Sequence, residues 1–311
     1  MKSLLKVCFF GLGSIGTRHI RNLISVGSEL GLHFQIDALK TIKNPIADDI
    51  KKYLNRIYAR NDEIEHLYDI VFVTNPTSLH FETIKFMADK ASNMFIEKPI
   101  FDKTDYNLNK LKLSPSSIYY VACPLRYSGI VQELKKIIQN EHIYAIRAIC
   151  SSYLPEWRKG VDYREVYSSK KLMGGGVSID LVHEWDYLTY LFGFPQEVIN
   201  MQGKYSHLEI DSEDLSIYIA KYKDKLAELH LDYFGRTARR EIELFTYDGT
   251  IRGDFTQKEI SFSNGRPTIN VSGYEDVYIL EMRNFLQMIL NKTPNNNDIN
   301  HALNVMKLTK C

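Results

Sequence analysis

Three groups of residues in this chain have the types and spacing for chemistry. The first is Gly11-Leu12-Gly13-Ser14-Ile15-Gly16, a G-x-G-x-x-G pattern. Between a strand and a helix, such a turn holds a dinucleotide. Its first glycine permits the tight turn, its second lets the backbone approach a pyrophosphate, and its third lets helix and strand pack closely. The helix N-terminus then offers unpaired N–H groups and a partial positive charge to the anion. The second is Lys98, in Ile96-Glu97-Lys98-Pro99. An amine at a strand end, on the sheet edge where ligands bind, is placed to carry the proton of a hydroxyl whose carbon gives up a hydride. An ammonium partly desolvated beside an oxidised nicotinamide loses its charge more readily. Pro99 is a candidate cis-proline that would aim the lysine. The third is Asp180 with His183, three apart on an expected helix and so on one face. Asp180 would orient a substrate hydroxyl or the lysine, and His183 would relay a proton or polarise the reacting oxygen. Glu184 and Tyr187 extend that polar stripe, and Glu184 is a candidate to share the histidine's role.

These groups need a frame. Apolar runs at 6–10, 34–39, 69–74, 94–96 and 118–123 read as strands. They alternate with helical patterns at 14–26, 80–90 and 105–113, which means βαβ units on a parallel sheet. Beyond residue 123 the texture changes. Helices are expected at 130–138 and 177–192. Strand-like runs follow one another at 143–153, 215–222, 226–234 and 240–247, and Asp248-Gly249 signals a hairpin into 250–255. The expected fold is therefore α/β: an N-terminal Rossmann domain, a doubly wound parallel sheet, over 1–122, and a C-terminal α+β domain with a large, mostly antiparallel sheet over 123–311.

Composition narrows the partners. The chain has 311 residues, with 39 Lys and Arg against 38 Asp and Glu, a net charge of +1. That balance argues against a nucleic-acid partner. A hydrophobic share of 44% and a charged share of 25% are those of an ordinary globular protein. No apolar run approaches the roughly 20 residues that span a bilayer, so no membrane partner is expected. The four cysteines are scattered, without CxxC or a Cys/His cluster. This disfavours a disulfide framework or a metal site and suits a reducing cytoplasm. Residues 4–10 behind Met1-Lys2 read as a buried strand rather than a signal peptide, because a glycine turn stands where a cleavage site should be.

The choice between NAD and NADP depends on the end of the second strand. Asp37 lies at the distance expected of an acidic residue that holds the ribose hydroxyls of NAD. Ala38-Leu39 carry the strand past it, however, and Lys40-Thr41-Ile42-Lys43 place two cations and a hydroxyl where a 2′-phosphate would sit. NADP is the expected cofactor, with NAD the alternative.

Taken in order, Gly11–Gly16, Asn75-Pro76-Thr77-Ser78-Leu79-His80, Glu97-Lys98-Pro99, and Gly174-Gly175-Gly176 followed by Asp180 and His183 resemble the glucose-fructose oxidoreductase / inositol dehydrogenase / MocA (Gfo/Idh/MocA) family over nearly the whole chain. The resemblance implies a Rossmann domain followed by a domain with an open sheet, and NAD(P)-dependent oxidation or reduction at a carbinol or carbonyl carbon of sugars or cyclitols. It gives the lysine of Glu97-Lys98-Pro99 a catalytic role. The family's histidine usually lies four residues after the aspartate; here the spacing is three. A D-x-x-H-E-x-D spelling and the segment 152–171 are similar to a branch associated with surface-polysaccharide sugars.

The expected catalytic residues are Lys98, Asp180 and His183. Expected cofactor contacts are Gly11, Gly13, Ser14, Ile15, Gly16, Lys40, Thr41, Thr74, Asn75, Pro76, His80, Glu97, Lys98 and Arg126, the last from an Arg–aromatic pair with Tyr127. A sugar-type substrate would meet Lys98, Asp180 and His183 together with Trp157, Arg158, Tyr163 and Arg164, whose rings and guanidinium forks suit a sugar bearing a carboxylate or phosphate. An exposed open sheet would pair copies into a homodimer or homotetramer. The competing readings are a nucleotide-binding protein of the same fold without turnover, an NAD-dependent glycoside hydrolase, and a metal hydrolase, for which one histidine and no thiolate near Asp180 are thin.

Overall fold

The alternating runs before Ala122 become a six-stranded sheet in a computed structural model that describes residues 4–40, 45–64 and 67–310. Its strands are β1 (Leu4–Phe10), β2 (His33–Leu39), β3 (Leu54–Tyr58), β4 (Tyr68–Val73), β5 (Ala91–Ile96) and β6 (Ile118–Val121). They lie in the order β3-β2-β1-β4-β5-β6, and every pair is parallel. Helices α1 (Ser14–Glu29), α2 (Asp48–Lys51) and α3 (His80–Met87) connect them. β1 and β4 end in unbroken apolar runs because both faces are covered there: Val7–Phe10 and Ile70–Val73 are fully buried. Phe9 stacks on Phe72 with centroids 4.3 Å apart. The strand order reverses direction between β1 and β4, and ligands bind beyond the strand ends at such a switch point.

The edge strand β3 has no sequence counterpart in the expectations above, since Asn55, Arg56 and Ile57 are exposed and carry no apolar alternation. The helix expected over 105–113 is a single 3-10 turn, Leu108–Leu111. Tyr106, stacked on Phe81 at 4.4 Å, holds the entry, and Lys112 turns left-handed at φ +51° at the exit.

The second unit is built on an eight-stranded sheet. Its elements are α4 (Gly129–Ile137), β7 (Ile143–Tyr153), α5 (Val177–Asp180), α6 (Val182–Phe192), β8 (Glu197–Gly203), β9 (Leu215–Lys221), β10 (Leu226–Asp232), β11 (Phe234–Thr246), β12 (Gly249–Asp254), β13 (Glu259–Phe262) and β14 (Ile269–Asn270). The order is β14-β13-β12-β11-β7-β10-β9-β8, antiparallel throughout except for β7 with β10. Period-two burial is plain in β9, where Ser216, Tyr218 and Ala220 are buried and Ile217, Ile219 and Lys221 are exposed. The expected hairpin forms with Tyr247-Asp248 as its loop, since Thr246 pairs with Gly249. Gly249 sits at φ +127°, which a side chain would resist.

The single helix expected over 177–192 is two. Leu181, at φ −96° and ψ 25°, breaks it. Asp180 and His183 therefore do not share one regular helix face.

Last come α7 (Val277–Asn291) and α8 (Ile299–Leu308). The sequence division gave all of 123–311 to the second domain. The structure instead returns Asp276–Leu303 to the first unit and leaves Cys123–Glu275 and the residues from Asn304 onward to the second. The reason is apolar burial. Phe285 of α7 packs edge-on to Phe95 at 5.2 Å and to Phe72 at 6.1 Å. Among the described residues, no helix is long and apolar enough to cross a membrane.

Candidate active site

The glycine turn runs from the end of β1 into α1. Gly11 adopts φ +104°, and a Cβ there would meet the Thr74 carbonyl oxygen at 2.7 Å. A Cβ on Gly16 would lie 2.3 Å from the Gly11 carbonyl oxygen. Gly13 differs: its φ is an ordinary −72°, and a Cβ there would have no protein atom within 4 Å. Two glycines thus serve packing, and the middle one faces open space. The N-terminus of α1 has no side-chain cap and no acidic residue in its first turn. Its orphan N–H groups, near Ser14, Ile15 and Gly16, are left for an anion.

The acidic residue of β2 is spent inside the protein. Asp37 is buried, and its carboxylate accepts hydrogen bonds from Asn55 Nδ2 at 2.9 Å, Tyr68 OH at 2.8 Å and Tyr58 OH at 3.4 Å. The strand continues past it to Leu39. Lys40 follows at the strand end, its N–H donating to the Tyr58 carbonyl at 2.9 Å. Thr41 lies outside the described residues.

Beyond β4, Thr74 Oγ1 reaches the Gly11 carbonyl at 2.8 Å. Asn75 Nδ2 donates to Thr83 Oγ1 at 2.8 Å, while Asn75 Oδ1 is buried with no hydrogen-bond partner among the described residues. Such an acceptor, beside Gly11, suits a ligand hydroxyl or amide. Pro76 is exposed. The His80 ring is buried, its Nε2 3.0 Å from the Asn75 carbonyl oxygen and its Nδ1 3.2 Å from that of Ile100. Burial lowers its pKa, against the pull of those carbonyls.

Glu97 and Lys98 follow β5. The Lys98–Pro99 peptide is cis. Glu97 is buried, Lys98 half-buried. Burial alone would push the Glu97 carboxyl up, but its bond to His19 and the charge of Lys98 outweigh this and hold it below its ordinary value.

In the second unit, Asp180 is buried and accepts hydrogen bonds from the hydroxyls of Tyr167 and Tyr233, the latter at 2.5 Å. Burial first, and Asp180 second, keep both tyrosines protonated far above their ordinary range. From Gly175 to Thr189, only His183 is not buried. Glu184 points inward: it is wholly buried, 3.0 Å from Arg240 Nε. Burial raises its carboxyl pKa, opposed by the Arg240 charge. Tyr187 is buried beside it. The polar stripe expected along 180–187 is thus mostly turned into the core, with His183 its one half-buried member. Arg126 is also buried, its guanidinium forked onto Asp186 at 2.7 and 2.9 Å.

The aromatic–basic segment is held from within the same unit. Trp157 Nε1 donates to Ser152 Oγ at 2.9 Å, and its ring lies edge-on to Tyr233 at 5.2 Å. Arg164 is paired with Asp162 and Glu209, and the Tyr163 hydroxyl accepts from the Glu209 N–H. Arg158 lines a narrow cleft with Leu154, Trp157 and Val161. Sequence reasoning missed His19, Tyr167's and Tyr233's grip on Asp180, and Arg240. The His19, Tyr233 and Arg240 contacts cross long stretches of chain, and Tyr167 reaches Asp180 across an irregular segment, so local spacing shows none of them.

A parallel sheet of this order, opened by that turn and an uncapped helix, defines a Rossmann dinucleotide-binding protein. The chain belongs to the Gfo/Idh/MocA family. The model described as "Oxidoreductase family, NAD-binding Rossmann fold" matches residues 5–111, and that of the "GFO/IDH/MocA C-terminal domain" matches residues 131–252. The chain is 24% identical over 205 residues to the uncharacterized oxidoreductase YrbE of Bacillus subtilis (strain 168), covering 62% of this chain and 55% of that one. It is 26% identical over 174 residues to 2,7-anhydro-N-acetylneuraminate hydratase of Mediterraneibacter gnavus (strain ATCC 29149), covering 54% of this chain and 44% of that one. The chain thus spans about half the length of the curated relatives it matches. A levoglucosan dehydrogenase in complex with NADH and levoglucosan shares the fold, with a TM-score of 0.84 at 16% identity over 99% of this chain and 95% of that one.

Proposed function

We propose that this protein is an NAD(P)-dependent oxidoreductase moving a hydride between nicotinamide and a hydroxyl or keto carbon of a sugar or sugar derivative. The bound dinucleotide supplies the hydride acceptor or donor. The chain's own residues do the rest. The amides opening α1 bind the pyrophosphate, and Gly13 leaves room for it. Lys98 takes or returns the hydroxyl proton. Asp180, fixed by two tyrosines, orients a substrate hydroxyl, and His183 polarises the reacting oxygen. Trp157, Arg158, Tyr163 and Arg164 are the proposed sugar contacts.

The open space at Gly13 is the observation that carries this reading, because nothing in the protein's own packing requires a glycine there. NADP is the form we favour, since the Asp37 carboxylate is occupied by protein donors and Lys40 follows at the strand end. The test is to identify nucleotide co-purified with the protein, then screen sugars and sugar nucleotides for a change in reduced-nicotinamide absorbance. Turnover of at least one sugar supports the reading, and a nucleotide-free protein with no cofactor affinity contradicts it.

The similarity of 152–171 and the D-x-x-H-E-x-D spelling to a surface-polysaccharide branch directs that screen to such sugars first. A second reading is bound NAD used in a cycle without net redox, including glycoside hydrolysis; one relative carries the name of a hydratase, and because such a cycle leaves the reduced-nicotinamide absorbance unchanged, it is tested by analysing the products formed from the same sugars. Ile199, Met201, Ile217 and Ile219 are exposed on one face of β8 and β9. We propose that this face joins copies into a homodimer or homotetramer, which light scattering of an Ile219→Lys variant would test by loss of assembly. Cys8 and Cys150 are buried and outside any disulfide, consistent with the cytoplasm as the proposed location.

A further inference from the structure

The helix that opens at the phosphate turn carries His19 on its buried side. Its ring has no exposed surface and packs against Phe95 with centroids 4.7 Å apart. Its Nε2 lies 2.5 Å from Glu97 Oε1. Nδ1 has no hydrogen-bond partner among the described residues, so a proton on Nε2 satisfies the bond. The second Glu97 oxygen, Oε2, accepts the main-chain N–H of Lys98 at 3.1 Å. Each carboxylate oxygen thus faces a different part of the proposed site: the helix beneath the glycine turn, and the backbone of the lysine.

A His–Glu pair is an unexpected occupant of this position. The neighbours of His19 are the rings of Phe72, Phe95 and Tyr278. Burying a carboxylate is costly, and well-packed apolar side chains serve stability as well or better. The pair therefore asks for a role beyond stability, and the Lys98 N–H supplies one. We propose that His19 and Glu97 are positioning residues, a buried strut that sets the Lys98 main chain, and hence its amine, from the cofactor helix. This rests on the reading that Lys98 carries the proton. It adds His19 to the site and gives Glu97 a structural hold on the lysine in place of a cofactor contact.

The test compares His19→Leu, His19→Gln, whose amide can still donate to Glu97, and Glu97→Gln. Each is measured for NADPH affinity by fluorescence, for kcat and KM, and for the pH dependence of acylation of the Lys98 amine, read by mass spectrometry with surface Lys85 as control. In His19→Leu, kcat should fall about 10- to 100-fold, as misplacement of a reacting group does. NADPH affinity should hold, the Lys98 acylation midpoint should move, and Lys85 should not. His19→Gln should restore most of the rate. An unchanged kcat in a folded His19→Leu overturns the proposal, as does a Lys98 acylation profile that matches wild type. If His19→Leu does not fold, Glu97→Gln decides by the same acylation profile, with a wild-type profile overturning the strut. A protein that turns over no sugar refutes the functional reading, while the acylation comparison still decides the strut.

Discussion

Tyr68 on β4 donates its hydroxyl to Asp37 on β2 at 2.8 Å, so two strands that flank β1 are pinned through one carboxylate. This turns a residue at the count of a ribose-binding acid into a core polar anchor. Asp37→Asn should lower stability by about 1–3 kcal/mol, the cost of disturbing a buried hydrogen-bonded group, and leave the NADP to NAD preference unchanged. Lys40→Ala should weaken NADP binding about tenfold, the loss of one charge-assisted contact, and leave NAD binding alone. Fluorescence titration with both cofactors checks this, and a Lys40→Ala protein with undiminished NADP preference contradicts it.

Gly13 and Gly16 make a matched pair. Gly16→Ala places a Cβ against the Gly11 carbonyl and should lower the melting temperature sharply. Gly13→Ala meets no protein atom, so the melting temperature should hold while cofactor affinity drops at least about tenfold. Melting curves with and without cofactor separate the two.

The first half of this fold is legible because parallel strands covered on both faces are written as unbroken apolar runs, as in Val7–Phe10 and Ile70–Val73. The glycine turn and the strand end at Lys98 are local signals, readable by the same logic. The helix break at Leu181 is not, because residues 177–192 have good helical patterning and the break accompanies long-range ties: Asp180 to Tyr233, and Ser178 Oγ to Glu213 at 2.6 Å. In the sequence Glu184 extends a polar stripe beside His183, because its partner Arg240 lies on a distant strand. The return of α7 to the first unit rests on Phe285 finding Phe72 and Phe95, which no spacing announces.

Glu184 is buried against Arg240, and a purely structural role and a share in the chemistry predict different kinetics. Arg240→Ala leaves a buried carboxylate without its cation and should cost about 3–5 kcal/mol. The double variant Glu184→Leu with Arg240→Met should recover most of that stability and keep kcat within a few-fold of wild type. Urea unfolding and steady-state kinetics on the pair check both halves. A folded double variant as inactive as His183→Ala would give Glu184 a share in the chemistry.

Glu97 predicts an acid limb of stability. Its carboxyl is held below the ordinary value, so its contribution is present above about pH 4.3, the value of an unperturbed glutamate. It is lost as pH falls through the lower folded value. Urea unfolding between about pH 6 and pH 3 should show a steeper acid loss in wild type than in Glu97→Gln. Equal slopes would mean that another carboxylate sets the limb.

The most direct measurement is the Lys98→Met variant, assayed for cofactor binding and for turnover of the best sugar substrate. The methionine keeps the length and apolar stem of the lysine and removes only the amine. Cofactor affinity should stay within about threefold of wild type, well under 1.4 kcal/mol. Turnover should fall by the factor of about 10²–10⁴ that positioned proton transfer contributes. A Lys98→Met protein that turns over sugar at the wild-type rate would contradict the assignment of the proton to this amine.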